Sequence, residues 1–140
     1  MSHERYERII EAWAEAWNLG EVDALDRIMG PEYVRHDNNG TRVGLDEHKR
    51  RILALRAAFP DLTSVVDDIF GEHDRIAIRW TATGTHRGEY LGVPPTGRTV
   101  TINGISLGRV RAWRIVEEWV TWDPQQMLLA LDILPLRAAR

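Results

Sequence analysis

The hydrophobic period of this chain is mainly helical up to Pro60 and mainly alternating beyond it. Before it, apolar residues recur at helical spacing; after it, they alternate. Tyr6, Ile9, Ile10, Trp13 and Trp17 share one helical face from about Ser2 onward. Ser2 is placed to cap that helix, and Gly20 sits where the chain must leave it. Val22, Leu25, Ile28 and Met29 predict a short second helix ended by Gly30-Pro31. Tyr33 to Asp37 reads as a short strand, closed by Asn38-Asn39-Gly40. A third helix is expected from about Leu45 to Phe59, with His48, Ile52, Leu55 and Phe59 on one stripe and Pro60 as the stop.

Beyond Pro60, strands are expected over 62–70 and 75–84, on either side of the turn Gly71-Glu72-His73-Asp74. A loop rich in Gly and Pro follows over 85–98, then a hairpin of 99–110 with 115–122. Asp123-Pro124 opens a last short helix, 125–131. Helices followed by a run of adjacent strands specify an α+β fold. The expectation is one domain over residues 1–140, with the N-terminal helices covering one face of a curved, mostly antiparallel sheet. The final strand is apolar at both parities, with Trp119 on one side and Val120 and Trp122 on the other. Helices can cover one face. A second copy of the chain is the simplest cover for the other, which predicts a homodimer.

Composition narrows the partners. Lys and Arg number 18 against 21 Asp and Glu, a net charge of −3, and no basic stripe is present, so nucleic acid is not an expected partner. The chain has no cysteine, which excludes disulfides, thiolate metal sites and a thiol nucleophile and fits a reducing, cytoplasmic setting. The charged start Met1-Ser2-His3-Glu4-Arg5-Tyr6 does not read as a signal peptide, and no apolar run is long enough to span a bilayer, so no membrane is expected. The five histidines lack metal-ligand spacing, and there is no nucleophile elbow or phosphate-cradling loop. Neither metal nor cofactor is therefore expected. Six tryptophans in 140 residues fill the core or line a pocket for a flat apolar ligand.

Asp123 is the first candidate for chemistry. It follows Trp119-Val120-Thr121-Trp122, and desolvation between indole rings would raise its pKa and suit it to acid–base work. The same Asp123-Pro124-Gln125 is also a good helix start, and a capping role would stabilise the anion instead. His36, with Asp37, is a second candidate: a proton relay, or a strand-end histidine beside an Asx turn. His86 lies between Gly84 and Gly88, which allow a close ligand or simply a loop. Arg79 is a charge inside an apolar strand and either has a partner or faces solvent. Asn103 would stand beside Asp123 in one hairpin register and on the opposite face after a one-residue slip.

The run Arg79-Trp80-Thr81-Ala82-Thr83-Gly84-Thr85-His86-Arg87-Gly88-Glu89-Tyr90-Leu91-Gly92-Val93-Pro94-Pro95-Thr96-Gly97-Arg98 resembles the signature of the SnoaL-like polyketide cyclases. Ile115-Val116-Glu117-Glu118-Trp119, followed by Asp123 and a leucine-rich helix, is similar to the family's ending. Tyr33-Val34-Arg35-His36-Asp37 is similar to its first-strand histidine region. The resemblance implies a fold like nuclear transport factor two, a cone-shaped α+β barrel that is usually dimeric. It also implies a cofactor-free cyclase that closes a polyketide ring by intramolecular aldol condensation.

In that scheme Asp123 is the base that removes a proton alpha to a carbonyl, with His36 as the second catalytic candidate. The apolar pocket is bordered by His36, His86, Tyr90 and Trp119, with Tyr33, Arg79 and Asn103 as further substrate contacts. The departures are Ala112-Trp113-Arg114 in place of the family's Asp-Gly-Lys turn, and Gly108 where an aromatic residue is common. Two rivals stand beside the cyclase. One is an epoxide hydrolase, drawing on Asp37, Asp67 and Asp68, or a cofactor-independent hydroxylase. The other is a non-catalytic binding module.

Overall fold

The structure is a computed structural model and describes residues 3–133. Helix α1 (His3–Leu19) leads through a 3-10 turn (Val22–Arg27) into strand β1 (Met29–His36), the short strand β2 (Arg42–Gly44) and helix α2 (Leu45–Ala58). Four long strands follow: β3 (Thr63–Glu72), β4 (Arg75–Thr85), β5 (Thr99–Arg111) and β6 (Arg114–Trp122). Helix α3 (Pro124–Ala130) closes the described chain. The strands form one sheet in the order β2-β1-β6-β5-β4-β3. Only the β1–β6 pairing is parallel; the other four are antiparallel. The α+β architecture agrees with the sequence reading, except that the outermost strands, β2 and β3, do not pair with each other and the barrel is left open.

Strand parity decides what the helices cover. The inner face carries Tyr33 of β1, Ile76, Ile78, Trp80 and Ala82 of β4, and Val100, Ile102 and Ser106 of β5, with Val116, Glu118 and Val120 of β6. These side chains are buried against Ile9, Ala12, Trp13 and Ala16 of α1 and Ile52 of α2. The outer face has a different character. Cross-strand partners place Phe70, Ala77, Leu107, Trp119 and His36 in one row across five strands.

Three sequence expectations need correction. The short second helix is only a 3-10 turn, and Met29 already belongs to β1. Gly30-Pro31 therefore lies inside a strand. The sheet tolerates it because the β1–β6 register breaks between Met29 and Val34, where a proline without an N–H costs no ladder bond. Strand β2 was not anticipated. Val120 and Trp122 do not point outward; they share the inner parity, and Trp119 alone of the three faces out.

Candidate functional site

The inner face does not pack solid. A cavity of about 100 Å³ remains between the sheet and the helices. Its walls are Trp13, Trp17, Leu55, Trp80, Ala82, Tyr90, Ile102, Trp122 and Met127, with Ser64, Ser106 and Arg35 as the polar contributors. Gly104 is why the strands can present two indoles here. It pairs with Trp80 on one side and Trp122 on the other. A Cβ on Gly104 would lie 2.5 Å from Trp80 Cζ2 and 3.0 Å from Trp122 Cβ, so only glycine leaves room for both. Trp13 Nε1 donates to Ser64 Oγ at 2.9 Å, which fixes α1 against β3. Asn38 clasps Trp122 through both of its backbone groups and holds the end of β6 in place.

Polarity is concentrated at one wall. Arg35 and Glu118 are register partners on β1 and β6, and Tyr33 and Ser106 flank them. The Tyr33 hydroxyl donates to Glu118 Oε1 at 2.5 Å, and the Ser106 side chain lies beside the same carboxyl group. Trp80 Nε1 donates to Ser106 Oγ at 3.3 Å. Glu118 is 2 % exposed. Burial raises its pKa above the ordinary glutamate value, against the opposing pull of Arg35, Tyr33 and Ser106. Burial, then the Glu118 charge, pushes the Tyr33 hydroxyl well up as well.

Arg35 Nε donates to Asp37 Oδ1 at 2.9 Å, and Arg51 Nη1 donates to Asp37 Oδ2 at 2.7 Å. Burial works against the Asp37 anion, but these two guanidiniums hold its pKa below the usual value. His48, fully enclosed beside Tyr33 and Trp17, is held neutral by burial and by the nearby charges of Arg35 and Arg51.

The residues singled out in the sequence divide between the two faces. Tyr33 and Tyr90 are inside, Tyr33 against Glu118 and Tyr90 on the cavity wall with its pKa raised by burial. His36 and Trp119 are outside, stacked on one another at 5.1 Å between ring centroids, with His36 Nε2 2.8 Å from Glu117 Oε2. They do not border the cavity. Arg79 is exposed on the outer face near Asp67, 3.6 Å away, which is the solvent-facing alternative for a charge in an apolar strand.

Asn103 is also exposed and outside, paired with Thr81. The Ala112–Trp113 turn, with both residues at positive φ, and the bulge after Arg109 set the register that excludes it. His86 is fully buried and stacked on Phe59 but does not line the cavity. Its Nδ1 accepts from the Thr96 backbone N–H at 3.2 Å, so Nε2 carries the proton. Asp123 is exposed, and its Oδ1 accepts from Gln125 N–H at 2.9 Å as the N-cap of α3. The desolvation expected for it is absent, because the chain turns outward after Trp122.

Glu118, Arg35 and Ser106 were missed. The signal was present in parity: Glu118 shares the inner side with Val120 and Trp122, as Arg35 does with Tyr33. Asp67 and Asp68 are exposed, and Asp37 is bound to arginines, so the carboxylates of the epoxide hydrolase alternative do not converge. Among the described residues no three His, Asp or Glu side chains gather as metal ligands, and no helix is long and apolar enough to cross a membrane.

The chain matches the sequence profile of the SnoaL-like polyketide cyclases over residues 7–131. It belongs to that family. Among solved structures, IdmH of Streptomyces antibioticus, a proposed polyketide cyclase, is 34% identical with a TM-score of 0.80, over 93% of this chain and 99% of that one. AclR of Streptomyces galilaeus, a proposed hydroxylase, is 31% identical with a TM-score of 0.82, over 94% and 87%. TsrD of Streptomyces laurentii shares the fold at 23% identity and a TM-score of 0.85, over 95% and 98%. No protein of curated function matches this SnoaL-like chain at a significant level.

Proposed function

We propose that this SnoaL-like chain is a cofactor-free cytoplasmic enzyme, working as a homodimer, that closes a ring in a hydrophobic carbonyl compound by intramolecular aldol addition. The observation that carries the reading is the asymmetry of the cavity. Apart from Ser64, whose hydroxyl accepts from Trp13, it is aromatic or aliphatic on every side but one, and there Arg35 and Ser106 present N–H and O–H groups backed by the buried Glu118. Such a wall binds and polarises a carbonyl oxygen, because donors in a dry site are already oriented for the charge that develops.

The proton then has a short path. The carbon–hydrogen bond alpha to the carbonyl breaks as the proton passes to Ser106 Oγ and the hydroxyl proton of Ser106 passes to Glu118. The enolate oxygen rests on Arg35. The enolate carbon attacks a second carbonyl of the same molecule, and the new alkoxide takes the proton back. Nothing is oxidised, and no co-reactant is consumed.

Asp123 is the competing base, at the rim. It lies five residues beyond Glu118 on an extended strand, roughly 17 Å at about 3.4 Å per residue. A carbonyl oxygen and its alpha proton are only ~3 Å apart, within the reach that general-base catalysis requires of one site. Arg35 and Glu118 are cross-strand neighbours, which favours Glu118 over Asp123 as the base for a carbonyl held by Arg35.

Proton abstraction can be followed without the natural substrate. In deuterated water the protein should accelerate alpha-proton exchange of acetophenone, seen by proton NMR. Glu118→Gln should abolish the acceleration and Asp123→Asn should leave it. The reverse pattern would move the base to the rim, and no acceleration by the parent would remove the proton-transfer reading.

A further inference from the structure

We infer that the cavity takes its ligand as a planar oxyanion, a carboxylate or an ionised enol, held by the guanidinium of Arg35. The inference rests on the cavity being the ligand site and names what enters it. The observation behind it is a cavity-lining guanidinium that is only partly committed to carboxylates. Asp37 is the only carboxylate hydrogen-bonded to Arg35 among the described residues, and it spends its second oxygen on Arg51. Asp37 thus hydrogen-bonds two guanidiniums, of which only Arg51 has a second carboxylate, Glu47, within 4 Å.

Glu118, the other carboxyl group beside Arg35, accepts from the Tyr33 hydroxyl and makes no close ion pair with the guanidinium. The hydroxyls on the cavity wall, those of Ser64, Tyr90 and Ser106, carry no charge.

A guanidinium facing an apolar cavity without a full counter-charge is costly unless a ligand supplies one. Arg35 has committed Nε to Asp37, which leaves its terminal nitrogens for the Tyr33 hydroxyl and the cavity. A planar fork of N–H donors matches a planar oxyanion better than a lone carbonyl oxygen. The surrounding indoles and Tyr90 suit a flat conjugated body, and about 100 Å³ accommodates about one aromatic ring.

The test uses matched probes of that size, read by quenching of tryptophan fluorescence: benzoate against the isosteric, neutral benzamide, with acetophenone as the neutral ketone. Hydrogen bonds to a charged partner exceed neutral ones by enough to predict benzoate binding about tenfold tighter than benzamide. Arg35→Met should erase that preference while benzamide and acetophenone still bind. Ala82→Phe, which fills the cavity from β4, should abolish binding of all three.

Benzoylacetone adds a spectroscopic arm. Its enolate absorption should appear on binding to the parent and not to Arg35→Met. Equal binding of benzoate and benzamide to the parent would overturn the inference and leave the cavity reading standing. Failure of every probe to bind would remove the cavity reading itself. A benzoate preference that survives Arg35→Met would place the anion elsewhere and overturn the inference. If that variant does not fold by circular dichroism, Ala82→Phe decides: benzoate binding that persists in it overturns the inference equally.

Discussion

Replacing Gly104 by alanine adds one methyl group at the point where three inner-face elements meet. The new Cβ would stand 2.5 Å from Trp80 Cζ2, 2.7 Å from Thr121 O and 3.0 Å from Trp122 Cβ. The Thr121 contact is backbone of the paired strand and cannot swing aside, so the indoles must move. Trp80 is 8 % exposed and tied to Ser106 through its ring nitrogen, and its displacement would break that bond and narrow the cavity. Overpacking of this kind costs roughly 1–3 kcal/mol. For a chain of this length that lowers Tm by about 3–10 °C. Thermal melts give the stability, and fluorescence quenching by acetophenone reports the cavity; both should fall together. An alanine variant that melts with the parent and binds acetophenone equally well would refute the claim that Gly104 sets the spacing of Trp80 and Trp122.

Three further substitutions test other parts of the account. Tyr33→Phe removes a hydrogen-bond donor from a buried carboxyl group and should cost about 1–3 kcal/mol in denaturant unfolding, while leaving the helical far-UV signal unchanged. Asp123→Ala should lose about 1 kcal/mol through the missing cap, and Asp123→Asn close to none; equal losses would mean that the carboxylate has a charge-specific role beyond capping. Leu107→Asp puts a charge into the apolar row of the outer face and should turn a dimer into a monomer in sedimentation without altering acetophenone binding. A parent that is already monomeric would contradict the dimer.

Much of the fold was legible because helical periods dominate before Pro60 and alternating ones after it, and because β4 and β5 alternate over most of their length. The site was less legible for a reason of geometry. Whether Asn103 or Gly104 faces inward depends on a single register, set by a two-residue turn that is Ala112–Trp113 rather than the usual Asn-Gly pair for positive φ. Proline at position 31 looked like a helix stop and proved to sit at an irregular strand end. Resemblance drew attention to polar residues within the matching motifs, yet His36 and Trp119 fall on the outer parity. The inner charged residues, Arg35 and Glu118, each stood beside one that had been singled out.

Glu118 is the centre of the account, and its protonation can be measured directly. Difference infrared titration of the carboxyl stretch, parent against Glu118→Gln, isolates this one group. Its folded-state pKa is raised by burial, so the native state holds the proton more tightly than the unfolded chain does. The associated stabilisation is fully present below the ordinary glutamate value. It is lost as pH rises through the folded value, at about 1.4 kcal/mol for each unit of displacement. Parent stability should therefore decline across that window relative to Glu118→Gln, which has no proton to lose. Glu118 should show a midpoint above that of an ordinary glutamate, moving higher still in Tyr33→Phe. A midpoint at or below the ordinary value would show Glu118 to be a plain ion-pair partner of Arg35 and would contradict its role as the proton acceptor behind the cavity wall.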